Sequence, residues 1–145
     1  MSKPYSIKLF DRLFLGAIVL GLFSFALPWK ESVDLLANNP QVSAAGLGSG
    51  FLIASFAIGI GFNLLIWFFI SRRASKVAKW IQAIFFGLGL LFFLANLNNP
   101  LAPHGLALVL NLVIYALYGG ATFMLFRPDA VTWFNADRVN PDTFR

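Results

Sequence analysis

Cysteine is absent from the 145 residues, which removes disulfides, thiolate metal sites and thiol nucleophiles at once. Membrane oxidoreductases that pass electrons through cysteine pairs are thereby excluded. Charge is scarce as well: 12% of residues are charged, with six acids against 11 Lys and Arg and one histidine. None of these groups lies near the middle of a long apolar run, so the intramembrane acid or base that marks proton-coupled transport is missing. His104 follows Pro103 with no second imidazole or thiol, and Glu31 and Asp34 are the only acids on its side, too few ligands for a metal. It reads as a solvated residue at a helix mouth. No serine has a partner base or an elbow motif, which leaves a hydrolase without support.

Apolar residues are what the chain has instead. They make up 59% of it, with 17 Phe and 4 Trp beside 3 Tyr, and the mean hydropathy is +0.76. A soluble domain of this length cannot bury so much apolar surface, so the chain needs lipid as solvent. Four runs approach the ~20 residues that a helix needs to cross ~30 Å of hydrocarbon. They cover about 7–27, 47–70, 77–97 and 105–126, and the whole chain, 1–145, reads as one membrane domain with a tail at 127–145. Pro28 ends the first run, the Gly46, Gly48 and Gly50 cluster opens the second, Arg72 and Arg73 stop it, and Asn98, Asn99 and Pro100 turn the chain after the third. The runs are continuously apolar rather than alternating, which selects helices over barrel strands. The expected fold is therefore all-α: an integral membrane four-transmembrane-helix bundle.

Orientation follows from the cations. Lys3, Lys8, Arg12, Arg72, Arg73, Lys76, Lys79, Arg127, Arg138 and Arg145 fall on one side and only Lys30 on the other. The positive-inside rule puts that side, with both termini, in the cytoplasm of a bacterial inner membrane. The same bias sets aside nucleic acid as the target of the formal charge of +5. A secretory leader is the competing reading of the first run, with Ser24-Phe25-Ala26 as its small-residue site, but large residues crowd that site and a retained helix is expected. The outer loop predicts a short helical turn over 32–40 with Ser32 as cap and Val33, Leu35 and Leu36 on the membrane surface. Arg127-Pro128-Asp129 predicts a short interfacial helix after the fourth run, with Trp133 and Phe134 dipping into the interface and a disordered end over 140–145.

Lipid provides no hydrophobic drive between helices, so close packing relies on small residues and interhelical hydrogen bonds. Ala17 and Gly21, Ser55 and Gly59, Ala57 and Gly61, Ala83 and Gly87, and Ala116 and Gly120 are each four apart and share a helix face. Packing within the chain is their default use, and contact with another copy or subunit the functional one. Asn63, Asn111 and Tyr115 lie deep enough to form a polar seam, with Ser24 and Thr122 adding hydroxyls. Such groups more often tie helices together than line a path. Asp11 and Arg12 sit one turn inside the first run, where they anchor it or pair with each other or a partner.

The segment Leu9-Phe10-Asp11-Arg12-Leu13, the loop Ser71-Arg72-Arg73-Ala74-Ser75 and the close Leu125-Phe126-Arg127-Pro128-Asp129-Ala130 with Trp133 resemble those of small, uncharacterised four-span inner-membrane proteins of proteobacteria. That resemblance covers most of the chain and implies no activity. Small multidrug exporters carry an acid deep in their first span, which this chain lacks. Fluoride channels carry a Gly-Gly-x-Thr-Phe-Ser run, of which Gly119-Gly120-Ala121-Thr122-Phe123 keeps a fragment followed by Met124.

Abundant packing signals beside absent chemistry point to a non-catalytic accessory or structural subunit of a larger inner-membrane complex. Its partners are membrane lipid and other membrane-protein subunits or itself. The alternative is a small homo-oligomeric channel or carrier for a small solute, along Asn63, Tyr115 and Asn111. An enzyme acting on lipid or quinone would need a partner to supply its reactive group. No cofactor motif is evident, although quinone needs only a greasy cleft and one or two hydrogen bonds.

Overall fold

The computed structural model describes residues 3–38, 40, 45, 48–97 and 105–135. Gly46, the turn at Asn98, Asn99 and Pro100, His104 and the chain beyond Asn135 lie outside them. The described residues form six helices: α1 Tyr5–Ala26, α2 Trp29–Ala37, α3 Ser49–Arg73, α4 Lys76–Ala95, α5 Leu106–Met124 and α6 Pro128–Asn135. Four of these, α1, α3, α4 and α5, are long and apolar enough to cross a membrane.

Local chemistry explains the boundaries. Pro28 has no N–H to extend α1 and opens α2 instead, its carbonyl accepting from the Ser32 N–H at 2.8 Å. Ser32, expected as the cap, thus lies inside a helix that starts three residues earlier. α3 continues past Ile70 to Arg73, where Ala74 turns left-handed at φ 47° and the Ser75 N–H reaches back to Phe69 O at 3.0 Å. The Ser75 hydroxyl then caps α4 by accepting from the Ala78 N–H at 3.2 Å. Two residues therefore suffice to reverse the chain, and Lys76 and Lys79 both belong to α4.

The packed core occupies one end of the molecule. Ile7, Phe10, Phe14, Ala17 and Ile18 line one face of α1 and meet Ile66 and Ile70 of α3, Ala78 of α4, and Ala121 and Leu125 at the end of α5. The main helix contact is between α1 and α5. A small residue allows it: a Cβ on Gly120 would meet Leu13 Cδ1 of α1 at 3.4 Å, while Gly119 makes room for α4, where a Cβ would meet Phe86 Cζ at 3.1 Å. Tyr118 closes edge-on against Phe14 at 5.1 Å and 82°. Toward the far end the helices expose large side chains such as Ile58, Leu91 and Phe92. Four apolar helices with such an exterior suggest a membrane protein.

α6 does not lie free. Ala130 and Phe134 are buried in the core, so Phe134, expected in the membrane interface, is covered by the protein itself. Asp129 explains the placement. Its carboxylate accepts from the Ser6 hydroxyl at 2.7 Å and the Ser6 N–H at 3.0 Å, capping α1 from 123 residues away. Lys76 Nζ donates to Asn135 Oδ1 at 2.5 Å and ties the other end of α6 to α4. The indole N–H of Trp133 is buried without a hydrogen-bond partner among the described residues.

Two predictions follow from this one-ended packing. Phe10→Ala removes a side chain that is 0% exposed and should cost near the low end of the roughly 3–5 kcal/mol range for buried Phe→Ala, because the unfolded chain keeps an apolar solvent. Phe92→Ala, at a position 72% exposed, should leave the unfolding midpoint in detergent almost unchanged; equal losses would contradict a core confined to one end. The bonds to the Ser6 hydroxyl and N–H hold the Asp129 carboxyl below its ordinary pKa. The docking of α6 should therefore persist at every pH above the unfolded value of about 3.9 and fade only as pH falls through the lower folded value. Hydrogen exchange at the Ser6 amide measures this, and Asp129→Asn should reproduce the loosened state at neutral pH.

Candidate functional site

Two polar layers stand out against the apolar helices. The first closes the basic end, where the start of α1, the α3–α4 turn and the end of α5 meet. Asp11 pairs with Lys3 at 3.0 Å and accepts from the Trp67 indole N–H at 2.8 Å, while Lys3 also reaches the Ser71 hydroxyl at 2.6 Å. Asp11 thus links the chain start to α3 rather than pairing with its neighbour Arg12, which is exposed. Nearby, Lys79 is 9% exposed. Its ammonium lies 4.1 Å from the centre of the Phe126 ring and 5.3 Å from that of Phe134, so aromatic faces stand in for a carboxylate.

The second layer lies deeper. A cavity of about 310 Å³ opens between α3, α4 and α5, and the three seam residues Asn63, Asn111 and Tyr115 all line it. Gln82 and Tyr118 join them, with Phe85 and Phe86 as apolar walls. A second cavity of about 240 Å³ lies between α1, α3 and α5, lined in part by Gly21, Ser55 and Gly59. Asn63 and Tyr118 border both cavities and form the partition between them.

The hydrogen bonds show what each group has left to offer. Asn63 and Asn111 both donate to the carbonyl one turn back in their own helices, Gly59 O and Ala107 O, at 2.8 Å. The Tyr115 hydroxyl donates to Gly89 O across the α4–α5 interface at 3.1 Å, so it does not meet Asn63. Tyr118 does, at 3.4 Å from Asn63 Oδ1. Gln82, only 4% exposed, donates to the Thr122 hydroxyl at 3.4 Å and closes the cavity toward the basic end. Among the described residues, no carboxylate, imidazole, ammonium or guanidinium lines this cavity, and those that do line it offer hydrogen bonds to a neutral molecule.

The small-residue faces divide sharply. Ala17 is buried and Gly120 meets α1, but a Cβ on Gly21, Gly59, Gly61 or Gly87 would meet nothing within 4 Å. Ser55, Ala57, Gly59, Gly61 and Ala116 are exposed, and Ala83 is half-buried. Gln82, Tyr118 and Lys79 escaped sequence reasoning. The signal available was spacing: Lys79, Gln82 and Phe86 share one face of α4, while Tyr115, Tyr118 and Thr122 share one face of α5.

The geometry ranks these bonds. Tyr118→Phe removes one long contact and should lower stability by about 0.6 kcal/mol, the average for interhelical side-chain bonds in a membrane. Trp67→Phe leaves half-buried Asp11 without its indole donor and should cost roughly 1–3 kcal/mol. Thermal unfolding in detergent compares them, and a larger loss from Tyr118→Phe would move the structural weight to the cavity. Compared with family models, curated proteins and solved structures, the chain matches none of them.

Proposed function

We propose that this chain is a non-catalytic accessory or structural subunit of a larger assembly in a bacterial inner membrane, with both termini in the cytoplasm. The observation that carries this reading is the uncovered small-residue surface of α3. Ala57 and Gly61 are exposed on one face, Ser55 and Gly59 on another that opens onto the second cavity, and a Cβ at either glycine would meet nothing within 4 Å among the described residues. In lipid, faces of this kind are where helices approach one another most closely. Other membrane-protein subunits, or further copies of the chain, are the partners such a face fits. Orientation rests on the clustering of all described cations except Lys30 at one end.

A small homo-oligomeric channel or carrier is the second reading, favoured by the convergence of Asn63, Asn111 and Tyr115 on one cavity. Against it, both asparagine amides are bonded within their own helices, and the Gln82–Thr122 contact lies between the cavity and the basic end.

Gentle extraction of a tagged copy from its native membrane, followed by mass spectrometry of what stays bound, separates the two. A subunit should bring a stoichiometric partner. Ala57→Leu with Gly61→Leu should reduce that partner about tenfold or more while leaving the unfolding midpoint in place. Recovery of the chain alone would overturn the subunit reading, and a clean homo-oligomer would favour the channel, in which Asn63→Leu should then abolish flux.

A further inference from the structure

On the outer side of the α3–α4 hairpin, away from both cavities described above, runs a groove of about 330 Å³. Leu65 and Phe69 form one wall and Val77 and Ile81 the other, all apolar, over a floor made by Ile66 and Ala78. The floor residues belong to the packed core, so the groove has a firm base, and the single methyl of Ala78 gives it depth. Its upper end is the turn of Ala74 and Ser75. The Ser75 hydroxyl is already taken up by the Ala78 N–H, and the first N–H groups of α4, on Lys76 and Val77, have no partner among the described residues.

Cations cluster at that turn. Arg72, Arg73 and Lys76 lie within five positions, and Lys3 with Asp11 is the only ion pair among the described residues. Arg72 and Arg73 therefore have no carboxylate among the described residues, and Lys76 donates to the neutral amide of Asn135. Arg72 and Arg73 lead into the turn whose Ser75 lines the slot, where the positive end of a 20-residue helix also begins, and no charged side chain lines the slot among the described residues. Only an amphiphile with an anionic head and a hydrocarbon tail complements both parts.

We propose that this groove is a specific site for an anionic phospholipid, with one acyl chain between α3 and α4 and its phosphate against Arg72, Arg73 and Lys76. A zwitterionic lipid fills the slot equally well but brings its own ammonium toward the cations, so headgroup charge sets the preference. The site does not depend on the subunit reading, because the groove residues of α3 are distinct from Ser55, Ala57, Gly59 and Gly61.

The test uses the full chain in mild detergent, with native mass spectrometry of bound lipid after addition of phosphatidylglycerol or phosphatidylcholine with identical chains. One phosphatidylglycerol per chain is expected, retained about tenfold better than phosphatidylcholine. The Arg72→Gln, Arg73→Gln, Lys76→Gln variant should lose that preference and still hold either lipid weakly. Val77→Glu, at an exposed wall position where folding is not at stake, should expel phosphatidylglycerol. Glycerol phosphate, a head without tails, should fail to compete. Equal retention of both lipids would mean an ordinary lipid-facing surface, and displacement by glycerol phosphate would mean a free-anion site. Unchanged lipid preference in the triple variant would place the headgroup elsewhere; each of these results overturns the proposal.

Discussion

Asp129 caps the amino end of α1 from the other end of the described chain. Its carboxylate accepts from the Ser6 N–H and hydroxyl at the start of α1. Pro4, which precedes α1, has no side chain able to do this. By bringing the first and last described helices together, the carboxylate places Phe134 on the core and sets the Phe126 and Phe134 rings around Lys79. The neighbouring Asp11, Lys3, Trp67 and Ser71 bonds fasten α3 to the same end. In a solvent that gives helices no reason to associate, these directional bonds and the close α1–α5 contact define the fold.

Packing and polarity then separate along the molecule. Near the basic end, side chains interlock, Asp11 is paired with Lys3 and Lys79 is covered by aromatic rings. Past the Gln82–Thr122 contact the helices stand further apart, and the amides and phenols of Asn63, Asn111, Tyr115 and Tyr118 border open space. Phe25 stacked on Phe56 at 3.8 Å is the main clasp between α1 and α3 in that looser half.

Four long helices were legible because each apolar run ends in residues with a local physical meaning: Pro28 without an N–H, Arg72 and Arg73 unwelcome in hydrocarbon, Pro128 with its preset φ. The seam residues were legible as rare polar groups in apolar surroundings, although Tyr115 bonds to Gly89 and leaves Asn63 to Tyr118. Sequence reasoning lost what depends on distant partners. Ser6 and Asp129 are 123 positions apart, and nothing in the local pattern of Trp133 and Phe134 separates a helix resting on lipid from one folded onto its own bundle. Small-residue spacing likewise marks a face fit for close approach without saying whether the chain itself supplies the neighbour; Gly120 has one and Gly59 does not.

A bundle clamped at one end responds unevenly to sideways pressure. Thinning or compressing the leaflet around the clamped end meets interlocked rings and bonded carboxylates, and little can yield. The same stress applied around the other end acts on helices separated by empty volume, where a small tilt changes the width of both cavities at little cost. Asn63 and Tyr118 stand between those cavities, so such a tilt would change the spacing around the polar groups there.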